Sequence, residues 1–121
     1  MNLKFALPTV FITLVVGAQL FVVASPSQRV PCRIEVTARR FEFAPSEITL
    51  KKGEPVVLVL KSIDVPHGFR FRELGIETKA GKGQTSEVAF TPDKTGTFVG
   101  HCSVFCGSGH GGMTLTLHIV E

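Results

Sequence analysis

Apolar and polar residues alternate at every second position in short segments along most of this chain, and this spacing predicts β-strands. In the C-terminal segment Thr114 to Val120, aliphatic side chains alternate with threonines and a histidine, as expected of a half-buried strand. The segment Pro55 to Leu60 is a continuous apolar run and predicts a buried strand. Further strands are predicted around Ile34 to Val36, Phe41 to Phe43, Ile48 to Leu50, His67 to Phe71, Thr85 to Phe90 and Thr97 to His101.

Prolines and glycines separate these segments at intervals of roughly ten residues, and no helical period follows the N-terminal apolar run. About seven or eight short strands with this spacing predict an all-β fold, either a sandwich or a small barrel. The chain of 121 residues has room for one such domain. We assign residues 32–121 to the domain and residues 25–31, SPSQRVP, to a linker before it.

The N-terminal segment, residues 1–24, contains Lys4 and then an almost uncharged apolar run from Phe5 to Ala24. The run is close to the ~20 residues that cross a bilayer as a helix, which favours a single membrane anchor. Small residues before Ser25 offer a cleavage position, which favours a signal peptide instead. Both interpretations stay open. The arginines that follow the run oppose export by the positive-inside rule, and we nevertheless expect export because of the ligand set described below.

The charges of the chain are balanced and dispersed. It has 13 Lys and Arg against 10 Asp and Glu, a formal net charge of +3. Because the basic residues are scattered among acidic ones, the sequence does not indicate nucleic-acid binding, which usually shows a concentrated basic stripe. No catalytic constellation is apparent among the motifs, so we do not expect an enzyme acting on its own.

The loop before the last predicted strand contains a cluster of soft metal ligands in the stretch GHCSVFCGSGHGGM, from Gly100 to Met113. A disulfide between Cys102 and Cys106 would close a very small ring and would explain neither His110 nor Met113. A thiol-exchange site of the thioredoxin type needs a βαβ unit in which the cysteines open a helix. Here the cysteines precede a glycine-rich loop and a strand. Both alternatives are therefore disfavoured.

Copper is the metal that these residue types favour. Thiolate and thioether sulfurs are soft ligands and imidazole is intermediate, whereas zinc takes cysteine and histidine but rarely methionine. Such a site usually needs a second imidazole, and the candidate is His67 in the stretch SIDVPHGF. Asp64, three residues earlier, could hydrogen-bond to His67 and orient it, or could cap a turn.

Two motifs resemble those of the CuA domain of cytochrome c oxidase subunit II, a cupredoxin: C-S-x-x-C-G-x-x-H-x-x-M from Cys102 to Met113, and S-x-D-V-x-H from Ser62 to His67. The resemblance implies a Greek-key β-sandwich or barrel and a centre of two copper ions. It implies that two cysteines bridge the ions, that each of two histidines binds one of them, and that a methionine and a backbone carbonyl complete the set. The implied ligands are His67, Cys102, Val104 through its carbonyl oxygen, Cys106, His110 and Met113.

The sequence departs from the oxidase pattern in two respects. Val104 stands where oxidase subunits usually carry a glutamate that reaches a magnesium or manganese site. The chain also lacks the Trp and Tyr residues that form the electron-accepting surface of those subunits. We therefore expect a stand-alone or accessory CuA-like domain in preference to a standard oxidase subunit II.

We expect this domain to transfer single electrons in a respiratory chain, in the periplasm or at the outer face of the cytoplasmic membrane. Two bridging thiolates would let a pair of copper ions share one unpaired electron, so that each bond changes little between redox states. The expected partners are redox proteins: cytochrome c, another cupredoxin or a haem-copper oxidase. Two alternatives stay open, a copper storage or delivery protein for oxidase assembly and a cupredoxin with a single copper ion.

Three further residues have side chains that can bind metals, but we do not expect them to belong to this site. His101 should point away from it, because neighbours on a strand face opposite sides of the sheet. His118, on the polar face of the last strand, should be solvated. Cys32 has no partner if the other two cysteines bind copper, and it could remain an unpaired thiol or form an intermolecular bond.

Overall fold

The described part of this computed structural model, residues 8–10, 12, 14, 17–24 and 29–121, contains nine β-strands and two single-turn 3₁₀ helices. The strands are β1 (Cys32–Arg39), β2 (Glu42–Ala44), β3 (Glu47–Lys51), β4 (Val56–Ser62), β5 (His67–Phe71), β6 (Ile76–Ala80), β7 (Thr85–Phe90), β8 (Gly96–Cys102) and β9 (Thr114–Val120). The 3₁₀ turns are Arg72–Leu74 and His110–Gly112.

The strands form two mixed sheets. One has the order β2-β1-β4-β7 and the other the order β3-β9-β8-β5-β6. Within them β1 pairs with β4 and β3 pairs with β9 in parallel, and the remaining pairs are antiparallel. At one side the sheet edges approach each other, where Thr78 on β6 and Ser86 on β7 share a hydroxyl hydrogen bond of 2.6 Å. The predicted all-β fold is confirmed, with the sheets curved into a half-barrel.

One hydrophobic core contains side chains from both sheets. Its fully buried members include Phe43, Leu58, Phe69 and Leu117. The run predicted as a buried strand is β4, and the alternating C-terminal segment is β9, in which Leu115, Leu117 and Ile119 are buried and the threonines are partly exposed. Period-two patterning therefore identified the strands that carry most of the core.

Strand β6 was not predicted, and for this reason the count of seven or eight strands was too low. Its buried residues, Ile76, Thr78 and Ala80, alternate with the exposed Glu77 and Lys79. The segment has only one strongly apolar residue and lies between two glycines, so it has the composition of a turn. Pairing with β5 at the edge of the sheet makes it a strand.

The predicted N-terminal segment, 1–24, and linker, 25–31, fall partly outside the described residues: positions 1–7, 11, 13, 15–16 and 25–28 are not described. The described positions between 8 and 24 are exposed and belong to no helix or strand. In the part of the chain that the structure covers, no helix is long and apolar enough to cross a membrane.

The antiparallel pairing of β5 with β8 places two of the predicted ligands, His67 and Cys102, on one face. Phe69 is paired with Cys102, so the inward row of β5 lies beside the inward row of β8. Phe71 in this row covers Gly100, where a Cβ would lie only 2.6 Å from the Phe71 ring. Glycine at this position therefore lets the two strands pack closely.

Replacing Gly100 with alanine tests this contact. We expect Gly100→Ala to lower the free energy of unfolding by about 1–3 kcal/mol, because the added methyl group overpacks the core against Phe71. Urea denaturation measures the effect. Gly111→Ala is the control, since a Cβ there meets no atom within 4 Å. Equal losses in the two variants would contradict the predicted close contact.

Candidate metal centre

Three parts of the fold supply the predicted ligands. His67 opens β5, Cys102 closes β8, and the others lie in the ligand loop, defined as residues 103–113 between β8 and β9. Because Phe69 is the partner of Cys102, His67 two residues earlier faces the same side. Gly68 allows the loop to approach, since a Cβ at this position would overlap the Ser103 hydroxyl. The strand and the loop therefore meet at Gly68, the residue next to His67.

The two cysteine sulfurs form the middle of the site. The Sγ atoms of Cys102 and Cys106 lie 3.9 Å apart, and both thiols are free. A disulfide requires an S–S distance of about 2.05 Å, so the two residues are not bonded in this structure. The spacing instead leaves room for a metal between the sulfurs.

Every other predicted ligand lies within 4.0 Å of one of these sulfurs. Around Cys102, the Nδ1 atom of His67 is at 4.0 Å and the carbonyl oxygen of Val104 at 3.2 Å. Around Cys106, the Nδ1 atom of His110 is at 3.7 Å and the Sδ atom of Met113 at 3.8 Å. The ligand atoms of His67 and the two cysteines lie within 4.8 Å of one another. The structure therefore brings together all six residues selected from the sequence.

The ligand set is largely shielded from water. His67 and Met113 are fully buried, the two cysteines are nearly so, and His110 is partly exposed. Burial of the Cys106 thiol, followed by the nearby Cys102 sulfur, raises the pKa of Cys106 from 9.0 to about 11. The Arg40 guanidinium acts in the opposite direction but does not offset these effects. In the absence of metal, Cys106 is therefore a neutral thiol at physiological pH.

Asp64 fixes the orientation of His67. The Nε2 atom of His67 lies 2.7 Å from Oδ1 of Asp64. Burial alone would raise the pKa of Asp64, but hydrogen bonds from the Arg40 amide, from His67 and from the Val65 amide outweigh this effect and hold the pKa at about 2. The carboxylate is thus ionised and can only accept, so Nε2 carries a proton and Nδ1 faces the cysteine. Asp64 both orients the histidine and caps the turn before it.

Two contacts to the ligand loop were missed by sequence reasoning, and both come from the turn between β1 and β2. The Nε–H of Arg40 donates to the carbonyl oxygen of Cys106 at 2.7 Å. The ring of Phe41 lies against Gly107 and Gly109, where a Cβ would be 2.9 Å and 2.5 Å from ring carbons. The only sequence signal was the glycine content of the loop, which indicates that another group approaches its backbone.

The remaining residues of interest lie away from the sulfurs. His101 is exposed on β8, on the face opposite to Cys102. His118 is partly exposed and contacts Glu47 and Thr97 on the surface, each at 3.2 Å. Cys32 is an exposed free thiol at the start of β1.

The donor set fits copper. Two thiolates, two imidazoles, a thioether and a carbonyl oxygen combine soft and intermediate ligands, and the thioether in particular separates this set from the usual zinc sites. The partners that orient His67 and Cys106 supply the outer contacts that metal ligands require.

Solved structures with the same fold include the following three. The periplasmic domain of cytochrome oxidase subunit II (CoxB) of Bradyrhizobium japonicum is 21% identical, with a TM-score of 0.69 over 78% of this chain and 87% of that chain. Auracyanin A, a blue copper protein of Chloroflexus aurantiacus, is 21% identical, with a TM-score of 0.64 over 75% of this chain and 100% of that chain. The metal-binding domain of the Cu(I)-exporting ATPase CopA of Streptococcus pneumoniae is 23% identical, with a TM-score of 0.61 over 74% of this chain and 85% of that chain.

At these identities the likeness establishes the fold, and a family model establishes the family. The model of the cupredoxin-like domain matches residues 10–115, which is most of the chain. The chain therefore belongs to the cupredoxin-like domain family.

Proposed function

We propose that this domain binds two copper ions in a CuA-like centre and transfers single electrons. The ligands would be His67, Cys102, the Val104 carbonyl oxygen, Cys106, His110 and Met113. The observation that carries the proposal is the pair of free sulfurs 3.9 Å apart, with the other ligand atoms within 4.0 Å of one or the other sulfur. A single copper ion would need only one of these two cysteines.

The residues of this chain contribute rigidity and a dry environment. Copper bound there would accept and release one electron at a time. Cys102 is held on β8 by its backbone bond to Met113, and His67 is held by Asp64, so these ligands keep their positions when the charge changes. Ligands fixed in this way change little between the two states, and small rearrangement favours fast transfer.

We propose that the domain acts as an electron carrier without chemistry of its own, exported to the periplasm or to the outer face of the cytoplasmic membrane. Its likeness to a periplasmic oxidase domain supports this location. Redox proteins would be its partners: cytochrome c, another cupredoxin or a haem-copper oxidase. Val104 and the absence of Trp and Tyr favour a stand-alone or accessory role over that of a standard oxidase subunit.

A second candidate function is copper storage or delivery for oxidase assembly. It is favoured by the partly exposed His110, which lies at the surface side of the site and could exchange metal more readily than the buried ligands. The likeness to the Cu(I)-containing domain of a copper-exporting ATPase is compatible with this role.

The number of copper ions can be measured directly. We expect two ions per chain and an electron paramagnetic resonance spectrum in which two equivalent nuclei split the signal, because the proposal has both sulfurs, 3.9 Å apart, bridging the ions. Cys102→Ser should abolish this pattern, and Cys32→Ser, which removes an exposed thiol, should leave it unchanged. A single-nucleus spectrum that survives Cys102→Ser would contradict the dinuclear centre and support a mononuclear one.

Copper binding should weaken as the pH falls, because the metal must displace the proton that Cys106 holds with a pKa of about 11. Each proton released changes the apparent association constant by about tenfold per pH unit. Copper(I) titrations between about pH 6 and 8 should therefore show a steeper pH dependence for the wild type and Cys32→Ser than for Cys106→Ser. The same slope in all three proteins would show that Cys106 is not a thiolate ligand.

The rate of copper loss separates the carrier from the storage protein. The buried His67 and Met113 should slow dissociation, so we expect the loaded protein to keep its copper for hours in the presence of a competing chelator. The absorbance of the chelator–copper complex measures the rate of release. Release within minutes would favour storage or delivery.

A further inference from the structure

A continuous chain of hydrogen bonds joins the two separate parts of the site without passing through a metal. The carbonyl oxygen of Cys106 accepts from the Nε–H of Arg40 at 2.7 Å. The backbone N–H of Arg40 donates to Oδ2 of Asp64 at 2.8 Å, and Oδ1 of Asp64 lies 2.7 Å from Nε2 of His67. Arg40 therefore connects the ligand loop to the strand that carries His67.

The rest of the ligand loop is held by backbone hydrogen bonds. Its ends are tied to the sheet, where Ser103 N–H donates to Gly68 and Cys102 N–H donates to Met113, both at 3.1 Å. Inside the loop, the amides of His110, Gly112 and Met113 each donate to a carbonyl three residues earlier, at 3.2 Å. These bonds shape the second half of the loop but do not attach Cys106 to the sandwich.

Phe41 packs against the ligand loop close to Cys106. Its ring lies against the backbone at Gly107 and Gly109, so that neither position could carry a side chain without displacing the ring. Gly107 also has a φ of +137°, which L-residues rarely adopt. The turn between β1 and β2 thus touches the loop twice, through a directional bond and through a packed ring.

We propose that Arg40 is a positioning residue that holds Cys106 in place relative to Cys102 and His67 before a metal binds. It acts through the Nε–H bond to the Cys106 carbonyl, and it does not itself touch the ligand atoms. The proposal rests on the proposed function for the identity of the metal, but the ordering of the loop is a property of the copper-free protein.

Two variants at Arg40 separate the hydrogen bond from the charge. Arg40→Met removes both the donor and the charge while keeping an unbranched side chain. Arg40→Gln removes the charge but carries an N–H at the same number of bonds from Cα as Nε of arginine, so it can restore the donor. Arg39→Met is the matched control, because Arg39 is exposed and is paired only with Glu42, at 3.9 Å, among the described residues.

Hydrogen exchange of the loop amides in the copper-free protein gives the first readout. We expect the amides of His110, Gly112 and Met113 to exchange about fivefold faster in Arg40→Met, the factor that corresponds to one hydrogen bond of about 1 kcal/mol. Arg40→Gln and Arg39→Met should resemble the wild type. Equal exchange in Arg40→Met and Arg39→Met would overturn the proposal, and so would Arg40→Gln behaving like Arg40→Met, since charge would then be the cause.

The copper-loaded protein gives a second readout that a general loss of stability would not move. The thiolate-to-copper charge-transfer band should shift in Arg40→Met and keep its wavelength in Arg40→Gln and Arg39→Met. We expect the midpoints of thermal unfolding to be the same in all of these proteins. An unshifted band in Arg40→Met would count against a role of Arg40 in placing Cys106. If the wild type fails to bind two copper ions, the proposed function fails, and the exchange rates of the copper-free variants still decide the role of Arg40.

Discussion

The pairing of β5 with β8 is the constraint on which the site depends. His67 and Cys102 are 35 residues apart in the chain, and the register that pairs Phe69 with Cys102 makes them neighbours on one inward face. A slip of one residue would turn His67 to the outer surface, because side chains alternate along a strand. The buried rings of Phe69 and Phe71 oppose such a slip, since they would also have to leave the core.

Burial determines how charge is distributed around the candidate metal site. The buried thiol of Cys106 avoids the cost of a buried charge by staying neutral until a cation arrives, because burial raises its pKa to about 11. The ionised carboxylate of Asp64 lies at the edge of the buried region and accepts three hydrogen bonds there. The site therefore combines a buried neutral thiol at Cys106 with an ionised carboxylate at its edge that orients His67.

The loop that carries most of the predicted ligands has little regular structure, and its glycines allow close packing. Small residues at positions 107 and 109 allow the ring of Phe41 to reach the backbone, and Gly68 allows Ser103 to approach β5. The loop is thus shaped by its neighbours as much as by its own bonds. The glycines allow these close contacts, and the contacts in turn fix the position of the loop in the fold.

Local pattern alone determined the strands with clear alternation and the position of the loop before the last strand, and it selected the predicted ligands that this loop carries. It missed β6, whose composition is that of a turn, because pairing at the sheet edge decides its conformation. It also assigned no role to Arg40 and Phe41, which lie about 66 residues from the loop that they contact. Alternation records which side chains are buried, whereas a contact between distant residues depends on strand register and on the path of a loop, and these are decided only when the whole core packs.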